Sequence, residues 1–84
     1  MNWVLRVRNK TRKAIRRFPE KDQRYIVEAL REMTENPFSG DIVKLDEENS
    51  WRRRVGAYRI FYEVFAAQHA IHVFRIERRT SSTY

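Results

Sequence analysis

Hydrophobic residues recur along this chain with two different periods, and the periods divide it into strands and helices. Near the start, Trp3, Leu5 and Val7 alternate with Val4, Arg6 and Arg8, a spacing that predicts a half-buried strand. Asn9 then stands where the cap of a short helix belongs, over Lys10 to Arg17, with Ala14, Ile15 and, just beyond, Phe18 as its apolar stripe. Phe18-Pro19 closes it. Pro19 leads a second helix whose first turn carries Glu20 and Asp22, where the helix dipole favours acids. Tyr25, Ile26, Ala29, Leu30 and Met33 follow at helical spacing, and on the outer side Glu20 with Arg24 and Arg31 with Glu35 read as solvated pairs. Asn36-Pro37 ends this helix, and Phe38 to Asp41 has the composition of a turn.

Beyond Gly40 the apolar residues again alternate strand-fashion. Ile42, Val43 and Leu45, with Lys44, predict a short strand, and Trp51 opens another that Gly56 interrupts as a tight hairpin would. Tyr58 to Phe65 and Ala70 to Ile76, joined by Ala66 to His69, complete an antiparallel meander. Ile60, Tyr62 and Val64 are expected to meet the helices, with Phe74 and Ile76 as core partners; strict alternation puts His72 on that helix-facing side too. The expected fold is one α+β domain over residues 1–84: an N-terminal strand and two helices packed on one face of a twisted, mainly antiparallel sheet of four to five strands.

With 84 residues there is room for one core and one site. The absence of cysteine rules out disulfides, thiolate metal sites and thiol nucleophiles, and a reducing cytoplasmic setting is expected. The start of the chain lacks the pattern of a signal peptide, and no apolar run is long enough to span a bilayer. The net charge of +7 is unevenly spread: residues 1–19 carry +7, residues 20–50 carry −5 and residues 51–84 carry +5. If the two ends meet in space, they make one basic face with an acidic flank.

Alternation in the run WRRRVGAYRIFYEV puts Arg52 and Arg54 on one face of a strand and groups Arg59 with Phe61 and Glu63 on the next. Guanidinium groups on a sheet face, where a small domain usually hides apolar area, call for a polyanion or an acidic partner, and an RNA-phosphate surface is the expectation. Only two glycines exist, so no glycine-rich phosphate loop is possible, and neither paired His ligands nor a carboxylate cluster suggests a metal or other cofactor. A nuclease built from these residues would use the RNA 2′-hydroxyl as internal nucleophile, with arginines on the developing charge. Proton transfer would fall to Tyr84, Glu63 or Lys44. Tyr84 is favoured, because a crowd of guanidinium groups pulls a phenol's pKa toward neutrality. His69 and His72 have no partners in sequence that would make them bases or ligands, and Phe38 and Trp51 read as packing residues.

The order of strand, two helices, GDIVKL, WRRRVGAYRIFYEV and a terminal RRTSSTY resembles the RelE/ParE superfamily of type II toxins over essentially the whole chain. The resemblance to the RelE branch implies a toxin that cleaves mRNA in the ribosomal A site. By position it assigns catalytic roles to Arg54, Arg59, Arg78 and Tyr84, and phosphate binding to Arg52, Lys44 and Arg79. The implied partners are the ribosome with its mRNA and a cognate antitoxin, whose acidic, partly disordered segment would cover the basic groove. Operator DNA would be bound only by the toxin–antitoxin complex, and no membrane is involved. A ParE-like DNA gyrase inhibitor without catalysis is the alternative, and a plain nucleic-acid-binding module a third reading. The catalytic reading requires guanidinium groups from three segments to converge with the final phenol in one hollow.

Overall fold

The computed structural model describes residues 2–79. In chain order the elements are β1 (Val4–Val7), α1 (Asn9–Arg16), α2 (Glu20–Glu35), β2 (Asp41–Lys44), β3 (Ser50–Val55), β4 (Tyr58–Phe65), a short 3-10 turn (Ala66–Gln68) and β5 (Ala70–Arg78). The five strands form one sheet in the order β1-β5-β4-β3-β2. β1 lies parallel to β5 and every other pairing is antiparallel. Because β1 and β2 occupy opposite edges, the two helices form the crossover between them. They cover one face of the sheet and leave the other open.

Local chemistry explains where the elements stop and start. Arg8 donates its amide to the Val73 carbonyl at 3.0 Å, prolonging the β1–β5 ladder, while its own carbonyl receives the Arg12 amide at 2.9 Å. The first helix therefore begins at Asn9, with Arg8 in the cap position and no side-chain cap, rather than with Asn9 as cap. Gln23 of α2 donates its side-chain amide to the Phe18 carbonyl in the connecting turn at 2.8 Å and to the Arg16 carbonyl at the end of α1 at 3.3 Å. After α2, Pro37 cannot continue the helix, and the Asn36 side chain accepts the Phe38 amide at 3.0 Å to fix the turn. Gly56 and Ala57 alone join β3 to β4, and a positive φ is needed only at Gly56.

The core lies between α2 and the covered face. Ile26, Ala29, Leu30 and Met33 form the buried stripe of α2 and meet Tyr58, Ile60, Tyr62 and Val64 of β4 and Ile71, Val73 and Ile76 of β5. Tyr25, expected in this stripe, is instead 57% exposed: it is one helical step round from Ile26 and sits beside the β3–β4 hairpin. Arg31 pairs with Glu28 at 2.8 Å and not with Glu35.

A β-bulge corrects the reading of the last strand. Tyr62 pairs with Val73 but Phe61 pairs with Arg75, so Phe74 is an extra residue in β5. Alternation shifts across it. Val73 and Ile76 both point into the core, Phe74 is only partly buried with its ring 6.4 Å from Phe61, and His72 moves to the open face opposite Glu63.

Candidate functional site

The open face is built in rows set by strand register. One row reads Asp41, Arg54, Arg59, Glu77 across β2, β3, β4 and β5; the next reads Val43, Arg52, Phe61, Arg75. Arg52, Arg54 and Arg59 thus come together as expected. Among the described residues none of the three forms a salt bridge, and Glu77, the β5 residue opposite Arg59, is engaged by Arg75. The Arg75 guanidinium also lies 4.6 Å from the centre of the Phe61 ring, adding a fourth cation that sequence reading did not single out.

The middle arginine of the run has a different task. Arg53 points to the covered face, is 7% exposed, and pairs there with Glu32 at 2.5 Å and with the Ser39 hydroxyl at 3.3 Å. A Cβ at Gly40 would stand 2.8 Å from its Nε and Cζ, so Gly40 gives the guanidinium its space as well as adopting a φ of +82°. The neighbouring Tyr62 is fully buried and donates its hydroxyl to the Pro37 carbonyl at 2.6 Å. Burial pushes its phenol up to about 12, against the opposing pull of the Arg53 charge. These contacts anchor the loop after α2 and hold β3 at the register that turns Arg52 and Arg54 outward.

Other expected site residues are placed elsewhere. Lys44 pairs with Trp51, whose neighbour across β4 is the buried Tyr62, so it belongs to the covered side of the sheet. Its ammonium donates to the Leu45 and Glu47 carbonyls, each at 3.0 Å, and lies 5.8 Å from the Trp51 ring. That corrects the view of Lys44 as part of the arginine surface: it closes the β2–β3 loop. Trp51 packs on the core, as expected, whereas Phe38 is 46% exposed and touches only the edge of the Trp51 ring, at 5.2 Å.

Arg78 likewise departs from the single-hollow expectation. Its partner is Tyr58, and its guanidinium lies 6.0 Å from that ring on the covered side, at the hairpin end of the sheet. Burial and a 2.6 Å hydrogen bond to Asp22 both push the Tyr58 phenol up, while Arg78 pulls it down. Arg79 is exposed and its amide continues the ladder to the Ala57 carbonyl at 2.5 Å. Tyr84 lies outside the described residues.

Two further open-face features escaped the sequence reading. His72 Nδ1 is 3.1 Å from Glu63 Oε1, and Arg6 lies directly beside His72 on β1. The pairing across strands could have been found only with the bulge in hand. Among the described residues no group of three or more His, Cys, Asp or Glu side chains could hold a metal ion, and no helix is long and apolar enough to cross a membrane.

A family model described as the ParE toxin of type II toxin–antitoxin systems matches residues 3–82. No curated protein matches the chain. Among solved structures, the archaeal RelE–RelB complex from Pyrococcus horikoshii is similar with a TM-score of 0.86 at 22% identity, covering 98% of this chain and 100% of that one. The isolated E. coli RelE toxin gives 0.83 at 16% identity over 95% of this chain and 87% of its own. The RelBE2 toxin–antitoxin complex from Mycobacterium tuberculosis gives 0.82 at 18% identity over 94% and 93%. At these identities the likeness is one of fold.

Proposed function

The chain belongs to the ParE toxin family of type II toxin–antitoxin systems, and from that premise we propose that it is a ribosome-dependent mRNA endonuclease of the RelE kind, acting in the A site. The observation that carries this reading is the open-face group of Arg52, Arg54 and Arg59, three guanidinium groups without ion-pair partners among the described residues. In the proposed reaction the RNA 2′-hydroxyl attacks the adjacent phosphorus. The arginine forks bind the non-bridging oxygens, whose charge grows as the bond forms, and need no proton transfer to do so. Tyr84 is proposed to transfer a proton, and Arg78 and Arg79 to hold the flanking backbone from the hairpin end of the sheet.

The proposed partner is an antitoxin encoded with it, as the similar toxins of P. horikoshii and M. tuberculosis are each held in complex with theirs. An acidic segment laid over the open face would satisfy the same guanidinium groups as RNA and silence them by occupancy. The family match itself favours a second reading, inhibition of DNA gyrase without catalysis. A ribosome programmed with a defined mRNA separates the two. Cuts in the A-site codon that require the ribosome support the nuclease; intact message together with blocked supercoiling supports the gyrase inhibitor.

A further inference from the structure

The proposed cleavage needs a group to take the 2′-hydroxyl proton, and arginine, always protonated, cannot be that group. The open face holds one that can. His72 on β5 lies opposite Glu63 on β4, with Nδ1 3.1 Å from Oε1 and both side chains about one-third exposed, at 36% and 35%. An ionised carboxylate only accepts, so Nδ1 carries the proton donated to Glu63 and the neutral ring keeps its lone pair on Nε2. Glu63 thereby fixes tautomer and ring orientation together.

The surroundings suit RNA. From β1, Arg6 lies directly beside His72, and Arg52 on β3 sits in the adjacent row, about 7 Å along the strands and two strands, about 10 Å, across from His72. On the other side of His72 opens a hollow of about 400 Å³ lined by Arg6, Phe65, Gln68 and Ala70, which offers a cation, an aromatic ring and an amide. Those are the contacts that hold an unstacked nucleotide: charge for its phosphate, a face for its base, a donor and acceptor for its edge.

Building on the nuclease reading above, we propose that His72, aligned by Glu63, takes the 2′-hydroxyl proton of RNA lying across the open face, while the hollow beside it receives the neighbouring nucleotide. As Nε2 accepts the proton, the O2′–P bond forms and the P–O5′ bond breaks with its electron pair going to O5′. The departing O5′ takes a proton from water. The products are a 2′,3′-cyclic phosphate and a 5′-hydroxyl. His72 is the catalytic residue and Glu63 a positioning residue.

The test is single-turnover cleavage of a defined mRNA on ribosomes, with binding measured separately. His72→Ala is expected to cut about 10²- to 10⁴-fold more slowly with message and ribosome binding unchanged, and added imidazole, entering the vacated space, is expected to restore part of the rate. Glu63→Gln, which keeps a hydrogen-bond acceptor but not the charge, is expected to fall between the two. Far-ultraviolet circular dichroism identical to the parent's shows that the half-exposed substitutions fold. A His72→Ala protein that cuts as fast as the parent, or one whose loss lies wholly in binding and ignores imidazole, overturns the assignment while leaving the nuclease reading intact. If the parent itself leaves every message whole, the nuclease reading fails and this inference falls with it.

Discussion

Arg54 and Arg59 face each other directly across β3 and β4, two like charges in one cross-strand pair. Directly opposed like charges destabilise a sheet, and Glu77, which could relieve Arg59, is taken up by Arg75. A fold does not need this pair, whereas a polyanion does. Arg59→Gln is expected to reduce message cleavage about 10²-fold or more, the scale of losing one oxyanion donor, and to leave stability equal or raised by about 0.2–1 kcal/mol. Urea denaturation beside the cleavage assay checks both. A variant that cuts message as fast as its parent would place the site elsewhere.

The close approach of Gly40 to Arg53 makes a second expectation. Gly40→Ala introduces a methyl 2.8 Å from the guanidinium at a φ of +82°, whereas Gly56→Ala, at +56°, meets nothing within 4 Å. Both substitutions carry the cost of a left-handed backbone, about 1 kcal/mol. Only the first must also move a buried, paired charge whose Nε already has no partner. Gly40→Ala is therefore expected to lower stability by about 1–3 kcal/mol more than Gly56→Ala, read from the difference in urea midpoints. Equal midpoints would mean that Arg53 yields freely.

The α2 stripe, the β3–β4 hairpin and the outward pair Arg52 and Arg54 were legible because each follows a single local period. Phe74 and His72 were not, since one inserted residue in β5 reverses which side they take and no composition announces a bulge. Arg53 was passed over because an inward arginine is stable only with partners, and its partners Glu32 and Ser39 come from distant positions on the chain. The family resemblance assigns site roles to Lys44 and Arg78 without saying which face of the sheet they take, and register puts both on the covered side.

Alkali offers a reading of the core. The Tyr62 phenol, ordinarily near 10, is pushed up to about 12 by burial, so above pH 10 the unfolded chain gives up this proton before the folded one does. The folded state then binds more protons, and stability falls as pH rises. The contribution is complete below about pH 10 and is lost by about pH 12, a change on the order of 2–3 kcal/mol. Tyr62→Phe is expected to flatten this limb. At neutral pH the same change costs about 1–2 kcal/mol, since the Pro37 carbonyl loses its 2.6 Å donor. An unchanged alkaline limb in the variant would assign the effect to another group.

Lys44 and Arg52 lie on neighbouring strands but on opposite sides of the sheet, which allows the location of the proposed RNA surface to be tested by substitution on either side. The Lys44 ammonium is held by the Leu45 and Glu47 carbonyls and rests near Trp51. Lys44→Met removes those two hydrogen bonds at an exposed loop while keeping an aliphatic stem against the ring, so stability should fall by no more than about 1 kcal/mol. Message binding and its salt dependence should not change. Arg52→Gln leaves the fold untouched but deletes one phosphate contact on the open face. Binding should weaken at every sequence, and the slope of log affinity against log salt should lessen by about 0.7, the single-strand value for one contact. If instead Lys44→Met flattens the salt slope and Arg52→Gln does not, RNA approaches from the side where the helices lie, and the open-face site is wrong.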